Sequence, residues 1–338
     1  MAGGLYREKR RPPYWRSLSP SLAGGDPVPE ERLNGWLLVL AAKKIPHNYS
    51  TAGDRPRLYL PPLYENVALH EIRAFEQERA MPIFVPPKRD NIPGVLLFLL
   101  LLALWHGLRW GWFEHAAPSP PFPESARGWS AAFGLDVYRT TIRHEWWRAV
   151  TALTMHADES HLFSNLGFGL LFLGVLCRRA GFGLGIMLAL LGGTAGNICN
   201  ALTRPPHIIS IGFSTALFAA VGSLCALAGA DVIRHMQRHS LDSANAKALA
   251  TRLIWHVTLP LAAGAALLGL LGGGGEARTD YPAHIWGFCC GVLMCMALLP
   301  LEKRLFSLPP SRQAMAQACL FLTSLAGVAG AWLYTLSK

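Results

Sequence analysis

The stretch Ile211–Gly222, IGFSTALFAAVG, reads as the start of an apolar helix, yet it carries a hydroxyl at Ser214 behind a glycine–phenylalanine pair. A second apolar stretch, Ala283–Val292, AHIWGFCCGV, carries an imidazole at His284. A polar side chain inside a membrane is costly, and its presence there marks a functional position by default. Whether these two stretches are membrane-spanning helices that meet decides the fold.

The composition favours a membrane. Of 338 residues, 51% are hydrophobic and 15% charged, against about 25% charged in soluble domains. The deficit is local. Residues 1–90 are rich in Arg, Lys, Glu and Pro, and nearly everything after Pro93 is apolar with short polar breaks. A small soluble front end and a membrane-embedded remainder follow. The net charge of +10 is assigned to basic loops between spans, where Lys and Arg accumulate on the cytoplasmic side. The lipid bilayer, and not nucleic acid, is therefore the expected partner. The seven cysteines are odd in number, sit in or beside apolar runs and form no C-x-x-C. Neither a disulfide framework nor a zinc site is indicated, and no metal or cofactor is expected. The opening MAGGLYREKRRPPYWRSLSP lacks the apolar core of a secretory signal, and WLLVLAA at Trp36–Ala42 is too short to cross a bilayer.

Along the chain, residues 1–30 read as a disordered basic N-terminus. Residues 31–85 read as a small α/β domain: a helix in ERLNGWLLVLAAKKI, short strands in HNYST and PRLYLPP, and a second helix in YENVALHEIRAFEQER, with Val67, Leu69, Ile72 and Phe75 near helical spacing. Seven spans are expected near 93–113, 150–176, 181–202, 212–230, 253–273, 282–300 and 314–336. Arg178, Arg179, Arg234, Arg238, Lys247, Arg252, Lys303, Arg304 and Arg312 lie in alternate connections, whereas the opposite loops carry Arg204 and Arg278. By the positive-inside rule the N-terminus is cytoplasmic and the loop at 114–148 lies across the membrane, in a multi-pass protein of the cell (inner) membrane.

Three polar clusters interrupt the spans. In MHADESHLFSNLGFG, His161 and Asn165 are four apart and share a helix face, with His156 upstream. Ser214 falls in a first helical turn, where unpaired backbone N–H groups stabilise a negative oxygen. His284, Gly287 and Gly291 share a face, and small-x-x-x-small spacing lets that face approach a neighbouring helix closely. Taken singly, these groups have plainer roles, Ser214 as an N-cap and the histidines as buried hydrogen-bonders. Taken together they make a serine nucleophile, Ser214, with a base, His284. His161, Asn165 and the Ser214 backbone N–H are then candidate oxyanion donors. No acid is well placed to complete a triad: Asp280 lies one turn before His284, and a break at Pro282 is expected between them.

From about Trp147 to Leu299 these residues resemble a rhomboid intramembrane serine protease. WWR at 146–148 with His156, His161 and Asn165 resembles that family's W-R loop motif and H-x-x-x-x-H-x-x-x-N. GFS at 212–214 resembles G-x-S, and AHIWGFCCG resembles A-H-x-x-G-x-x-x-G. The resemblance implies an all-α polytopic fold with a six-span core at 93–301 and a loop and seventh helix at 302–338. It implies Ser214 and His284 as the catalytic dyad and His161 and Asn165 near the oxyanion. It implies Gly212, Phe213 and Phe218 on the substrate-binding side, and Trp147, Arg148, His156, Gly287 and Gly291 as structural residues. Two positions depart from the family pattern. Thr215 replaces a common glycine and is expected to narrow the site, and Phe218 replaces a common tyrosine, keeping the ring and losing the hydroxyl. The implied reaction is hydrolysis of a peptide bond in or near the transmembrane helix of single-span substrates, with oligomeric state left open. The alternative is a catalytically inactive relative that binds transmembrane helices and controls their trafficking. A transporter is disfavoured because acidic side chains are nearly absent from the spans and no internal repeat is visible.

Overall fold

Apolar runs separated by capping residues and tight glycine turns dictate the elements of this chain. The structure is a computed structural model and describes residues 14–17, 30–50, 57–80, 91–109, 126–239, 251, 262, 266 and 280–337. The chain divides into two compact units, Met1–Ile83 and Phe84–Lys338.

The first unit contains β1 (Arg16–Ser17), α1 (Glu30–Ala42), β2 (Asn48–Ser50), β3 (Arg57–Leu60) and α2 (Glu65–Ala80). The sheet order is β1-β3-β2, with both pairings antiparallel. The expectation of disorder across 1–30 is thus corrected at Arg16 and Ser17, whose backbone pairs with Leu60 and Tyr59. Leu33, Trp36, Leu37 and Leu40 recur at helical spacing on α1 and bury against Leu58, Leu60, Ala68 and Ile72. Ion pairs Arg32–Glu76 at 2.9 Å and Lys43–Glu71 at 3.0 Å tie α1 to α2.

The second unit begins with α3 (Ile92–Arg109). Then come α4 (Ala126–Phe133), β4 (Leu135–Asp136), α5 (Val137–Thr141) and α6 (Arg148–Thr151). α7 (Glu159–Ala180) and α8 (Phe182–Thr203) follow, then β5 (Ile209–Ser210), α9 (Ser214–His239), α10 (Tyr281–Ser307) and α11 (Pro310–Leu336). Among the described residues six helices are long and apolar enough to cross a bilayer: α3, α7, α8, α9, α10 and α11. The chain is a multi-pass membrane protein. The span expected at 253–273 lies outside the described residues apart from two isolated positions.

Two boundaries differ from expectation for identifiable reasons. The span expected from 150 starts at Glu159, because Met155 is extended (φ −110°, ψ 147°) and Asp158 caps a new helix by accepting from the His161 N–H at 2.7 Å. No break occurs at Pro282. It is the second residue of a helix capped by Asp280, a position where its missing N–H costs nothing.

α8, α9 and α10 pack at backbone distance. A Cβ on Gly196 would lie 2.7 Å from Gly287 Cα, one on Gly193 2.8 Å from Ala216 Cα, and one on Gly291 2.1 Å from the Ala219 carbonyl oxygen. α7 turns directly into α8 through Gly181, whose φ of 89° suits glycine. At one end of the bundle Arg179 of α7 forms a two-oxygen pair with Asp231 of α9 and donates to Glu302 of α10 at 2.8 Å. Arg234 binds the same two carboxylates, at 3.1 and 2.8 Å. Arg179 and Glu302 are buried. α11 is held by Gln317, which accepts from the Leu184 N–H at 2.9 Å and donates to the Ala180 carbonyl at 3.2 Å. At its far end Trp332 enters a cluster with Trp105, Trp129 and Phe133.

Candidate active site

The candidate residues converge where α7, α9 and α10 begin. Ser214 opens α9, and His284 lies in the first turn of α10. Ser214 Oγ and His284 Nε2 are 2.9 Å apart, and both residues are more than nine-tenths buried. The glycine-lined seam between α9 and α10 makes that approach possible: a Cβ at Gly287 would sit 2.4 Å from the Thr215 carbonyl oxygen, one residue beyond Ser214. Phe218, one turn along α9, stacks on the His284 ring with centroids 4.2 Å apart and planes 11° apart.

Gly212 shapes the approach to the serine. Its φ of 135° is glycine territory, and its N–H is held by the Ala152 carbonyl at 3.0 Å. A Cβ there would fall 2.8 Å from His161 Nε2 and 3.5 Å from Ser214 Oγ. The missing side chain is what allows the His161 ring to stand beside the serine. His161 Nδ1 accepts from the Ala157 N–H at 3.5 Å, which assigns the proton of the neutral ring to Nε2, the nitrogen turned toward Gly212. Asn165, one turn further along α7, is wholly buried, and neither atom of its amide has a hydrogen-bond partner among the described residues. Such a group is unusual enough to require an explanation.

The structural residues behave as scaffolding. Arg148 is buried and donates to Glu145 at 2.6 Å and to the Gly134 and Ala131 carbonyls at 3.0 and 3.3 Å, pinning the segment before α7. Trp147 packs edge-on against Tyr334 of α11 at 4.8 Å. His156 is wholly buried between His161 and His106 of α3, with ring centroids 5.2 and 5.9 Å away. Burial holds it well below the usual histidine range, and His161, His106 and Arg109 push the same way.

Two expectations change. Phe213 does not face the site. Its ring is buried in the core and packs on Phe98 of α3 at 5.6 Å, so it anchors the segment before Ser214 rather than lining a substrate surface. Thr215 does not narrow the site with its branch, because its methyl points into the seam between Gly196 and Gly287.

Asp280 is also accounted for. Oδ2 accepts from Asn200 Nδ2 at 2.9 Å and from the Ser210 hydroxyl, while Oδ1 accepts from the Ala283 N–H at 3.3 Å and lies 3.8 Å from Arg204. His284 Nδ1 has no partner among the described residues. Among the described residues the arrangement is a serine–histidine pair without a third acid. His106, Asn200 and Ser210 are neighbours that sequence patterns missed. The single sequence signal for His106 and Asn200 was a polar residue in an otherwise apolar run.

Residues 143–301 match the family model described as Rhomboid domain. The chain is 28% identical over 166 residues to RHOMBOID-like protein 1 of Arabidopsis thaliana, covering 49% of this chain and 38% of that one. It is 26% identical over 161 residues to "Putative rhomboid protease YdcA" of Bacillus subtilis (strain 168), covering 47% and 71%. With RHOMBOID-like protein 2 of Arabidopsis thaliana the identity is 28% over 188 residues, covering 55% and 53%. The chain thus spans 38% and 53% of the lengths of the two plant relatives. Residues 143–301, just under half of the chain, carry a likeness to a rhomboid domain and lie within a bundle of apolar helices.

Proposed function

We infer that this protein is an intramembrane serine protease that hydrolyses a peptide bond in or near the transmembrane helix of single-span substrates. The observation that carries this reading is the 2.9 Å approach of Ser214 Oγ to His284 Nε2 across two apposed helices. Ser214 attacks the scissile carbonyl as His284 Nε2 takes its proton. The Phe218 ring keeps the imidazole plane fixed during that transfer. The oxyanion forms beside His161 Nε2–H, the Asn165 amide and the backbone N–H of Ser214 at the positive end of α9. Protonated His284 then gives its proton to the leaving amine. Water, activated by the same imidazole, hydrolyses the acyl-enzyme. The buried Asn165 amide is accounted for if its partner is this transient oxyanion.

The expected orientation agrees with packing inside the second unit. Asn91, which precedes α3, donates to the Cys177 carbonyl near the end of α7, at 2.7 Å. The chain therefore enters the bundle at the end remote from Ser214. Arg178, Lys303 and Arg304 sit at that same end, which supports a cytoplasmic N-terminus in a cell membrane and a site opening toward the opposite face.

The test is cleavage of a panel of single-span substrates by wild type and Ser214→Ala, with cut sites read by mass spectrometry and Ser214 labelled by a fluorophosphonate. Cuts and labelling that vanish in Ser214→Ala and His284→Ala are expected. A folded wild type that neither labels nor cleaves would instead support the inactive reading, in which the protein binds transmembrane helices and controls their trafficking.

A further inference from the structure

A base in a serine hydrolase is ordinarily oriented by a third group bonded to its other ring nitrogen. His284 has no such bond among the described residues. Its ring plane is set by Phe218, so its reach toward Ser214 depends on where the first turn of α10 sits. That turn is tied down at several points. The His284 N–H donates to the Asp280 carbonyl at 3.3 Å, and the Asp280 side chain caps the Ala283 N–H. The other carboxylate oxygen is held by Asn200, near the end of α8, and by Ser210 of β5. Asn200 is wholly buried and Ser210 nearly so. Ser210 stands opposite Leu135 in the β4–β5 pair, so one carboxylate joins the loop sheet, α8 and α10. A second tie runs from Trp286 Nε1 to Thr203 Oγ1 at 2.9 Å.

We propose that Asn200 and Ser210, acting through the Asp280 carboxylate, are positioning residues that hold the first turn of α10 and thereby set His284 against Ser214. This rests on the protease reading of the Ser214–His284 pair. The network does through the backbone what a triad acid does through a side-chain hydrogen bond. Oδ2 is taken by Asn200 and Ser210 and Oδ1 by the Ala283 N–H, and neither oxygen is bonded to His284 Nδ1.

The relay and its consequence can be read separately on the full-length protein in detergent or bilayers. Hydrogen exchange at Ala283 and His284 reads the relay. Fluorophosphonate labelling of Ser214, with kcat and KM for a single-span substrate, reads the consequence. In Asp280→Ala, exchange in the first turn of α10 rises while the rest of α10 stays protected. Labelling rate and kcat fall together, by about 10- to 100-fold for the loss of charge-assisted bonds, with KM nearly unchanged. Asp280→Asn keeps the cap acceptor but turns an NH2 toward the Asn200 and Ser210 donors, so it recovers the rate only in part, and Ser210→Ala loses less than Asp280→Ala. Full recovery in Asp280→Asn would remove Asn200 and Ser210 from the relay. Unchanged exchange in Asp280→Ala overturns the relay. Altered exchange with a wild-type labelling rate overturns its role in placing His284. A loss in Asp280→Ala that Asp280→Asn does not recover, with protection lost along all of α10, reduces Asp280 to a stability residue. A wild type that never labels defeats the protease reading instead, and the exchange measurement then still decides the relay.

Discussion

Phe218 lies flat on His284, 4.2 Å away and nearly parallel, one helical turn beyond the serine that His284 reaches. An aromatic pair of this kind contributes about 0.5–1.5 kcal/mol beyond its buried area. Phe218→Ala is expected to lower kcat about two- to tenfold, and Phe218→Tyr to leave it near wild type. Steady-state cleavage of a single-span substrate measures both. An alanine variant at full rate would remove the ring from the orientation of His284.

Asn165→Ala removes one candidate oxyanion donor. Such a loss typically costs about 2.7–4 kcal/mol in the transition state. Because His161 and the helix N-terminus remain, cleavage is expected to be strongly reduced and still detectable, with KM little changed. Equal kcat in variant and wild type would place the oxyanion elsewhere.

The seam between α9 and α10 tolerates no added atom. Gly291→Ala puts a methyl 2.1 Å from the Ala219 carbonyl, a backbone atom that cannot rotate away. Overpacking of this kind costs about 1–3 kcal/mol, and a lower Tm with weaker Ser214 labelling is expected. Gly327→Ala on α11 meets nothing within 4 Å and is the matched control, expected to melt like wild type.

Thr215 carries a methyl that fits between Gly196 and Gly287. Thr215→Gly therefore is expected to loosen the α8–α10 seam without widening the site. Thermal stability should fall, by about 0.3–0.5 kcal/mol from helix propensity alone, while the preference for the residue before the cut is unchanged. A broadened cleavage profile at unchanged Tm would restore Thr215 as a specificity residue.

Glu302 bonds both Arg179 and Arg234, and its carboxylate is buried. Removing one partner of a buried pair costs about 3–5 kcal/mol, because a charge is left uncompensated. Glu302→Ala is expected to lower Tm markedly. Labelling of Ser214 in the folded fraction should stay near wild type, since the network ties the opposite ends of α7, α9 and α10. Intact Tm in this variant would show that water already solvates the arginines.

Much was legible in the chain because a bilayer imposes simple rules. Spans must be long, apolar and helical, so residues 92–109, 182–203 and 310–336 could be bounded within a few positions from hydropathy alone. A hydroxyl and an imidazole in such runs stand out against the apolar background, as Ser214 and His284 did. What misled was reading side chains one helix at a time. Phe213 sits beside the nucleophile in sequence, yet its ring goes into the core against Phe98. Thr215 looked like an obstruction and instead fills a seam that only three packed helices create. Arg179 and Arg234 were read as basic charge in the connections between spans, and they are bound to Asp231 and Glu302, residues just past the expected span ends on helices that run longer.

Sequence by itself determined that this is a multi-pass helical protein with a polar cluster at the start of three spans, because hydropathy and helical period are local properties. Tertiary structure decided that Ser214 and His284 lie within one hydrogen bond and that the Asp280 carboxylate faces Asn200 and Ser210. Those are distances between residues 70 and 80 positions apart. They are set by how closely glycine lets two backbones approach, which no single helix encodes.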